Sequence, residues 1–155
     1  MSDMIKERDL GVYHYLTASL LGGLADLGLL NQGSANLVGR RTGERLADFL
    51  VSEGITPTGN PENDLKIIME KIGIAKEFQV VEEDDKLAVE IPAPLCRYCP
   101  KGVGGAEIPG TACPLPGMFE AFLAVYGDGD WKLEAYEGRP LVKEDDNCKI
   151  RYVRK

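Results

Sequence analysis

Four cysteines carry the clearest capacity for chemistry in this chain. Cys96 and Cys99 form a C-x-x-C pair within CRYCPKGVGGAEIPGTACP, Cys113 follows after thirteen intervening residues, and Cys148 after another thirty-four. Four thiolates at these spacings suit a tetrahedral Zn²⁺ site, because a tight C-x-x-C turn directs two sulfurs to one point. Gly102, Gly104 and Gly105 let backbone N–H groups approach the sulfurs and stabilise their charge. Cys113 precedes Pro114 at the expected start of a helix, whose partial positive end favours a thiolate. With four protein ligands and no position left for water, such a zinc is structural and not catalytic. The expected metal ligands are therefore Cys96, Cys99, Cys113 and Cys148, with 96–113 as the metal loop.

Other chemistries use the same residues. Cys96 and Cys99 could form a thioredoxin-like dithiol, although Pro100-Lys101-Gly102 follows where that motif opens a helix. Oxidation of this pair would make a thiol redox sensor, ejecting the metal and loosening the loop. Four cysteines can also hold an iron–sulfur cluster. In the plainest alternative Cys148 is a small buried residue on a strand and the loop holds three ligands. The glycines of KGVGGAEIPG lack the G-x-G-x-x-G order and the following Lys-Ser or Lys-Thr pair of a nucleotide loop. His14, the single histidine, sits in an apolar segment without a serine or cysteine at motif spacing and reads as a core or interface residue. The acidic clusters 82–85 and 144–146 fall at turns, where solvation explains them.

The elements that must position the thiols follow from periodicity. From Asp9 to Leu30, apolar residues recur at Leu10, Tyr13, Leu16, Leu20, Leu24 and Leu27, one wide stripe along a helix. Ala18 and Gly22, and Ser19 and Gly23, set small residues four apart, as do Gly39 and Gly43 in the next segment, Ser34 to Glu53. Such pairs predict that these two helices pack tightly on each other, within one chain or across a dimer. Ser34 is the expected cap of the second helix, Gly54 its stop, and Leu46, Phe49 and Leu50 its core face. Arg40, Arg41, Glu44, Arg45 and Asp48 form a solvated, ion-paired side. Pro61 opens a third helix through Lys71, stopped at Gly73. Alternation predicts a hairpin of 77–82 and 86–91 and two closing strands in WKLEAYE and NCKIRYV, the first led by a core Trp131, while helical spacing through Met118, Phe122 and Val125 predicts a helix over 116–126. The expected fold class is α+β, long N-terminal helices packed on an antiparallel sheet, in a single domain of 155 residues.

Composition narrows the function classes. The chain is 44% hydrophobic and 28% charged, as a folded globular protein is, and its net charge of −7 removes the basic surface that direct nucleic-acid binding requires. VYHYLTASLLGGLADLGLL is rich in small residues and carries His14 and Asp26, so it reads as a buried helix and not as a membrane span. Without a signal peptide the expected location is the cytoplasm, where cysteines serve as metal ligands or redox groups more often than as disulfides.

PGMFEAFLAVYGDGDWKLEAYE and EDDNCKIRYV, with the element order above, resemble the 4-vinyl reductase-type small-molecule-binding domain, a family related to the core subunits of the TRAPP tethering complex. Pro116 to Phe122 looks like that family's glycine-and-aromatic helix and Asp146 to Ile150 like its closing strand, with archaeal cysteine-rich members as the nearest kin. Glu137 stands where many members have another cysteine, and no glycine precedes Asp145. The resemblance implies a homodimer formed through the long helices and a cavity for an apolar small molecule. Leu46, Phe49, Leu50, Phe119 and Phe122 are candidate lining residues. The function expected is non-enzymatic binding or regulation around a structural zinc, with a reductase acting on a tetrapyrrole-like substrate as an alternative.

Overall fold

In a computed structural model of the chain, capping asparagine side chains mark where two of the helices begin. The structure describes residues 1–127 and 129–155; Asp128, inside the GDGD portion of the motif quoted above, lies outside the described residues. Helix α3 (Gln32–Ser52) is capped by Asn31, whose side chain accepts the Ser34 N–H at 3.1 Å while the Ser34 hydroxyl accepts the Asn31 N–H at 2.9 Å. Ser34 is thus the reciprocal half of a capping box and not the cap itself. Asn60 caps α4 (Pro61–Lys71) with Pro61 at its first turn, and Gly73, at φ +62°, closes it as the sequence predicts. Helices α1 (Ser2–Arg8), α2 (Val12–Asp26) and α5 (Leu115–Tyr126) complete the set. α1 has no buried residue and so leaves no apolar period to read.

The hairpin of β1 (Gln79–Glu83) and β2 (Lys86–Pro92) joins an antiparallel sheet in the order β1-β2-β5-β3, with β5 (Asn147–Arg154) in the interior. β3 (Trp131–Glu134) and β4 (Val142–Glu144) share the second edge of β5, one at each end. The fold is α+β. β4 is a three-residue strand inside what the sequence presents as a connector, and α1 is a helix beyond the predicted order.

Strand alternation sends Leu87, Val89 and Ile91 of β2 and Ile150 and Tyr152 of β5 into the main core with Trp131. α5 lies over this face, buried on nearly all sides as an apolar helix must be, with Phe119 and Phe122 fully enclosed. Its one acidic residue, Glu120, pairs with Arg40 of α3 at 2.7 Å. The Tyr152 hydroxyl donates to the Pro116 carbonyl at 2.8 Å and seats the start of α5 on β5.

Two of the three small-residue pairs, Ala18 with Gly22 and Gly39 with Gly43, mark close approaches, but to other neighbours than predicted. A Cβ on Gly39 or Gly43 would lie closer than 3.0 Å to a carbonyl oxygen of α5 or its cap, and one on Gly117 would strike the Asn36 carbonyl, so α3 packs backbone to backbone on α5. Gly22 and Ala18 of α2 instead press against Gly104 and Pro100 of the cysteine loop. The apolar stripe of α2 therefore faces outward: Tyr13, Leu16, Leu20, Leu24 and Leu27 are all exposed. Phe49 is exposed as well, Leu46 is half-buried, and Leu50 alone of that predicted trio is core. Among the described residues no helix is long and apolar enough to cross a membrane.

Candidate metal centre and apolar groove

Three segments bring the cysteines together. A 3₁₀ turn over Ala93–Leu95 leads into Cys96, whose N–H donates to the Pro92 carbonyl at 3.1 Å; Cys113 sits two residues before α5; Cys148 is the second residue of β5, opposite Ile91 and Lys143. All four line one cavity of about 70 Å³ together with Leu115, Leu141 and Ile150. No two of them are joined as a disulfide. The thiols surround this space without closing on a point: among the described residues, no group of three or more His, Cys, Asp or Glu is drawn together closely enough to hold an ion as it stands. The cavity is far below the ~300–1,000 Å³ of organic-ligand pockets, so it suits an ion and not a tetrapyrrole.

The donors around the sulfurs have a pattern of their own. Gly102 N–H donates to Cys99 Sγ at 3.2 Å, Tyr98 N–H to Cys96 and Leu115 N–H to Cys113. N–H groups aimed at sulfur stabilise thiolates and orient them as soft metal ligands. Of the three glycines expected to serve that purpose, Gly102 does; Gly104 instead admits the Ala18 carbonyl of α2, and Gly105 supplies a turn at φ +69°. Without a metal, burial pushes the Cys96 thiol up to about 12, opposed by the Tyr98 N–H and reinforced by Cys99 and Cys148. Burial also raises Cys113 and Cys148. Buried, protonated thiols are slow nucleophiles, which disfavours a rapid thiol switch at Cys96.

Residues with no sequence signal hold the loop in place. Arg8 donates from Nη1 to the Ala93 carbonyl at 3.2 Å and to the Cys96 carbonyl, and Arg97 Nε donates back to the Arg8 carbonyl at 2.7 Å. Gln32 clamps the other end, accepting the Cys113 N–H at 3.0 Å and donating to the Cys113 carbonyl at 2.8 Å. Asp26, last in α2, accepts the Glu107 N–H at 2.9 Å. These contacts span roughly eighty residues of sequence, beyond the reach of any local motif.

Beside the thiols runs a second space, an apolar groove of about 370 Å³ between α2 and α3, walled by Leu20, Leu21, Val38, Leu46, Tyr98 and Met118. Leu115 borders both spaces, and Tyr98 stands within the C-x-x-C turn, its hydroxyl donating to the Ile72 carbonyl at 2.6 Å. His14 packs edge-on to Tyr98 with ring centroids 5.2 Å apart, accepts the Gly11 N–H at Nδ1 and turns Nε2 toward the Ile72 carbonyl. It is a structural residue, as its apolar setting predicts. Of the residues predicted to line an apolar cavity, Leu46 alone reaches this groove; Leu46, Phe49 and Leu50 line a separate, smaller cleft of about 190 Å³ with Ile55, Ile68 and Ile72, while Phe119 and Phe122 belong to the core.

Comparison with known proteins places the chain. The sequence profile of the MJ0207 family matches residues 28–154, a span that contains all four cysteines, the groove wall on α3 and the whole sheet. The chain belongs to the MJ0207 family. Two relatives come from Methanocaldococcus jannaschii. Uncharacterized protein MJ1342 is 30% identical over 111 residues, covering 70% of this chain and 93% of its own. Uncharacterized protein MJ0207 is 29% identical over 93 residues, 60% of this chain and 58% of its own. No solved structure matches.

MJ0207-family membership overturns the resemblance to the 4-vinyl reductase-type domain and to TRAPP subunits: the residues that carried it, Pro116 to Phe122 and Asp146 to Ile150, lie inside the MJ0207 match. Those segments are short, and their pattern is what burial on both sides of α5 and alternation on β5 impose, so they do not discriminate between families. α2 lies outside the MJ0207 match, which begins at Gly28.

Proposed function

We propose that this MJ0207-family chain is a non-enzymatic binding or regulatory module. In this reading Cys96, Cys99, Cys113 and Cys148 hold one structural zinc ion, the groove between α2 and α3 takes an apolar small molecule, and the working form is a homodimer. One observation carries the reading: unpaired thiols from the loop, the start of α5 and β5 line one ion-sized cavity, three of them already accepting backbone N–H groups. Closing on zinc requires each sulfur to come to about 2.3 Å from the ion, by rotation of the side chains that line the cavity and movement of the loop. The charge of four thiolates exceeds that of the ion, and Arg8, Lys101 and Lys143 stand near to offset the excess. Metal and groove are coupled through Tyr98, so an ordered C-x-x-C turn makes an ordered groove wall.

Elemental analysis of protein purified under reducing conditions without added metal tests the centre. One zinc per chain is the expected result; a chain that stays metal-free after zinc is supplied refutes it. Zinc uptake by the metal-free protein is also expected to acidify a weakly buffered solution. The Cys96 thiol, raised to about 12, holds its proton at neutral pH, and the metal must displace it. Affinity therefore falls as pH falls, roughly tenfold per pH unit for each proton released. Calorimetry in buffers of different ionisation enthalpy counts those protons, and a count of zero excludes binding through protonated thiols.

A further inference from the structure

Among the described residues, none packs over the outer face of α2. Tyr13 is 78% exposed, Leu16 52%, Leu20 60%, Leu24 42% and Leu27 75%, and between Val12 and Ala25 the helix carries no Asp, Glu, Lys or Arg. With Val12 these side chains form one contiguous apolar patch left in water, of the kind that marks an interaction site.

The order of the stripe indicates what covers it. Its spacing is three, four, four, three, symmetric about Leu20. A second α2 laid antiparallel with its two-fold axis at Leu20 sets Tyr13 opposite Leu27, Leu16 opposite Leu24, and Leu20 opposite Leu20. An isologous interface requires this self-complementarity, in which each residue meets the image of another on the same patch, whereas an unrelated partner does not. Gly23 fits the same register. Its helix neighbour Gly22 is needed because the Gly104 carbonyl lies against it, yet a Cβ on Gly23 would meet nothing within 4 Å. Glycine inside a helix is unfavourable, and at this position it opens room for an approaching backbone. The residue it faces in the antiparallel register is the small Thr17.

We infer that α2 is a homodimer interface in which two copies pack antiparallel about Leu20, each roofing the open groove of the other. Leu20 belongs to both the stripe and the groove wall, so the partner helix completes an enclosure that one chain leaves open. This inference rests on the homodimer in the function proposed above and assigns its face and register.

Sedimentation velocity on the full chain, with zinc content measured on the same sample, tests it. At ~10 µM the expected mass is twice the 16.9 kDa of the chain. Leu20→Glu sets two carboxylates together on the axis and is expected to weaken association at least ~100-fold with unchanged circular dichroism, because Leu20 is exposed within its own chain. Leu16→Lys or Leu24→Glu alone weakens the dimer. The double variant restores it only in the antiparallel register, where the introduced lysine meets the introduced glutamate of the other copy. A wild type that stays monomeric at ~100 µM, including one that binds lipid vesicles instead, overturns the inference. So does a dimer indifferent to Leu20→Glu, and so does a double variant no tighter than either single one. A zinc-free dimer with these responses keeps the interface and removes the metal reading; a zinc-loaded monomer does the reverse.

Discussion

Cys148→Ser is expected to lower zinc affinity by roughly a hundredfold and, in zinc-loaded protein, to lower the melting temperature by roughly 6–12 °C. The sizes come from short arithmetic. Structural zinc in small domains binds with about 10–16 kcal/mol, or roughly 3 kcal/mol for each of four sulfurs, and 1.4 kcal/mol is one decade in affinity. In a chain of this length each kcal/mol shifts the melting temperature by about 2–4 °C. Of the four proposed ligands Cys148 is the informative one because it comes from β5, so its bond to a zinc would close the longest connection, tying the sheet to the loop and to the start of α5. The discriminating comparison is the same substitution in chelated protein. Cys148 is only half-buried, and serine replaces it there at little cost. Differential scanning calorimetry should therefore find a large effect with metal and a small one without. Equal effects would mean that Cys148 contributes packing alone.

Local features of the chain were legible wherever one residue type has one physical use. α4 begins and ends as predicted because Pro61 and Gly73 fit few backbone positions. The hairpin followed from alternation, and Cys148 falls on the last strand as predicted. Partnership was not legible. Periodicity identified the apolar stripe of α2 but not what covers it, and glycine spacing announced close approach without naming the helix or loop that approaches. Gly39 and Gly43 meet α5, far along the sequence, while Gly22 meets the loop at Gly104. α1 and β4 escaped because neither has an apolar period: α1 buries nothing and β4 is three residues long. The loop clamps by Arg8, Gln32 and Asp26 are polar contacts across long stretches of chain, visible only in three dimensions. For the cysteines, the shared cavity is seen only in three dimensions: their spacing placed Cys113 before a helix and Cys148 on a strand, and the fold sets all four on the lining of one small space.

Gly43→Ala, one methyl group added far from any thiol, is expected to lower the melting temperature by roughly 2–12 °C. Alanine is the better helix former by about 1 kcal/mol, so a gain would follow if the position were open. It is not open: the added Cβ would lie closer than 3.0 Å to both the Met118 carbonyl oxygen and the Phe122 nitrogen, and neither is a flexible side-chain end. The conflict can be relieved only by moving α3 off α5, which parts Gly39 from the Pro114 carbonyl and lengthens the 2.7 Å pair of Arg40 with the buried Glu120. Overpacking of this kind costs about 1–3 kcal/mol, and lengthening the pair of half-exposed Arg40 with buried Glu120 adds to it. Because the obstruction is backbone, trimming the side chain above it with Met118→Ala should not rescue the fold and should add its own loss. Recovery of stability in that double variant would mean that α3 and α5 meet through side chains. Gln32 and Cys113 anchor the cysteine loop to the same helix pair, so displacing α3 should also weaken zinc binding, linking the α3–α5 crossing to the metal centre in one measurement.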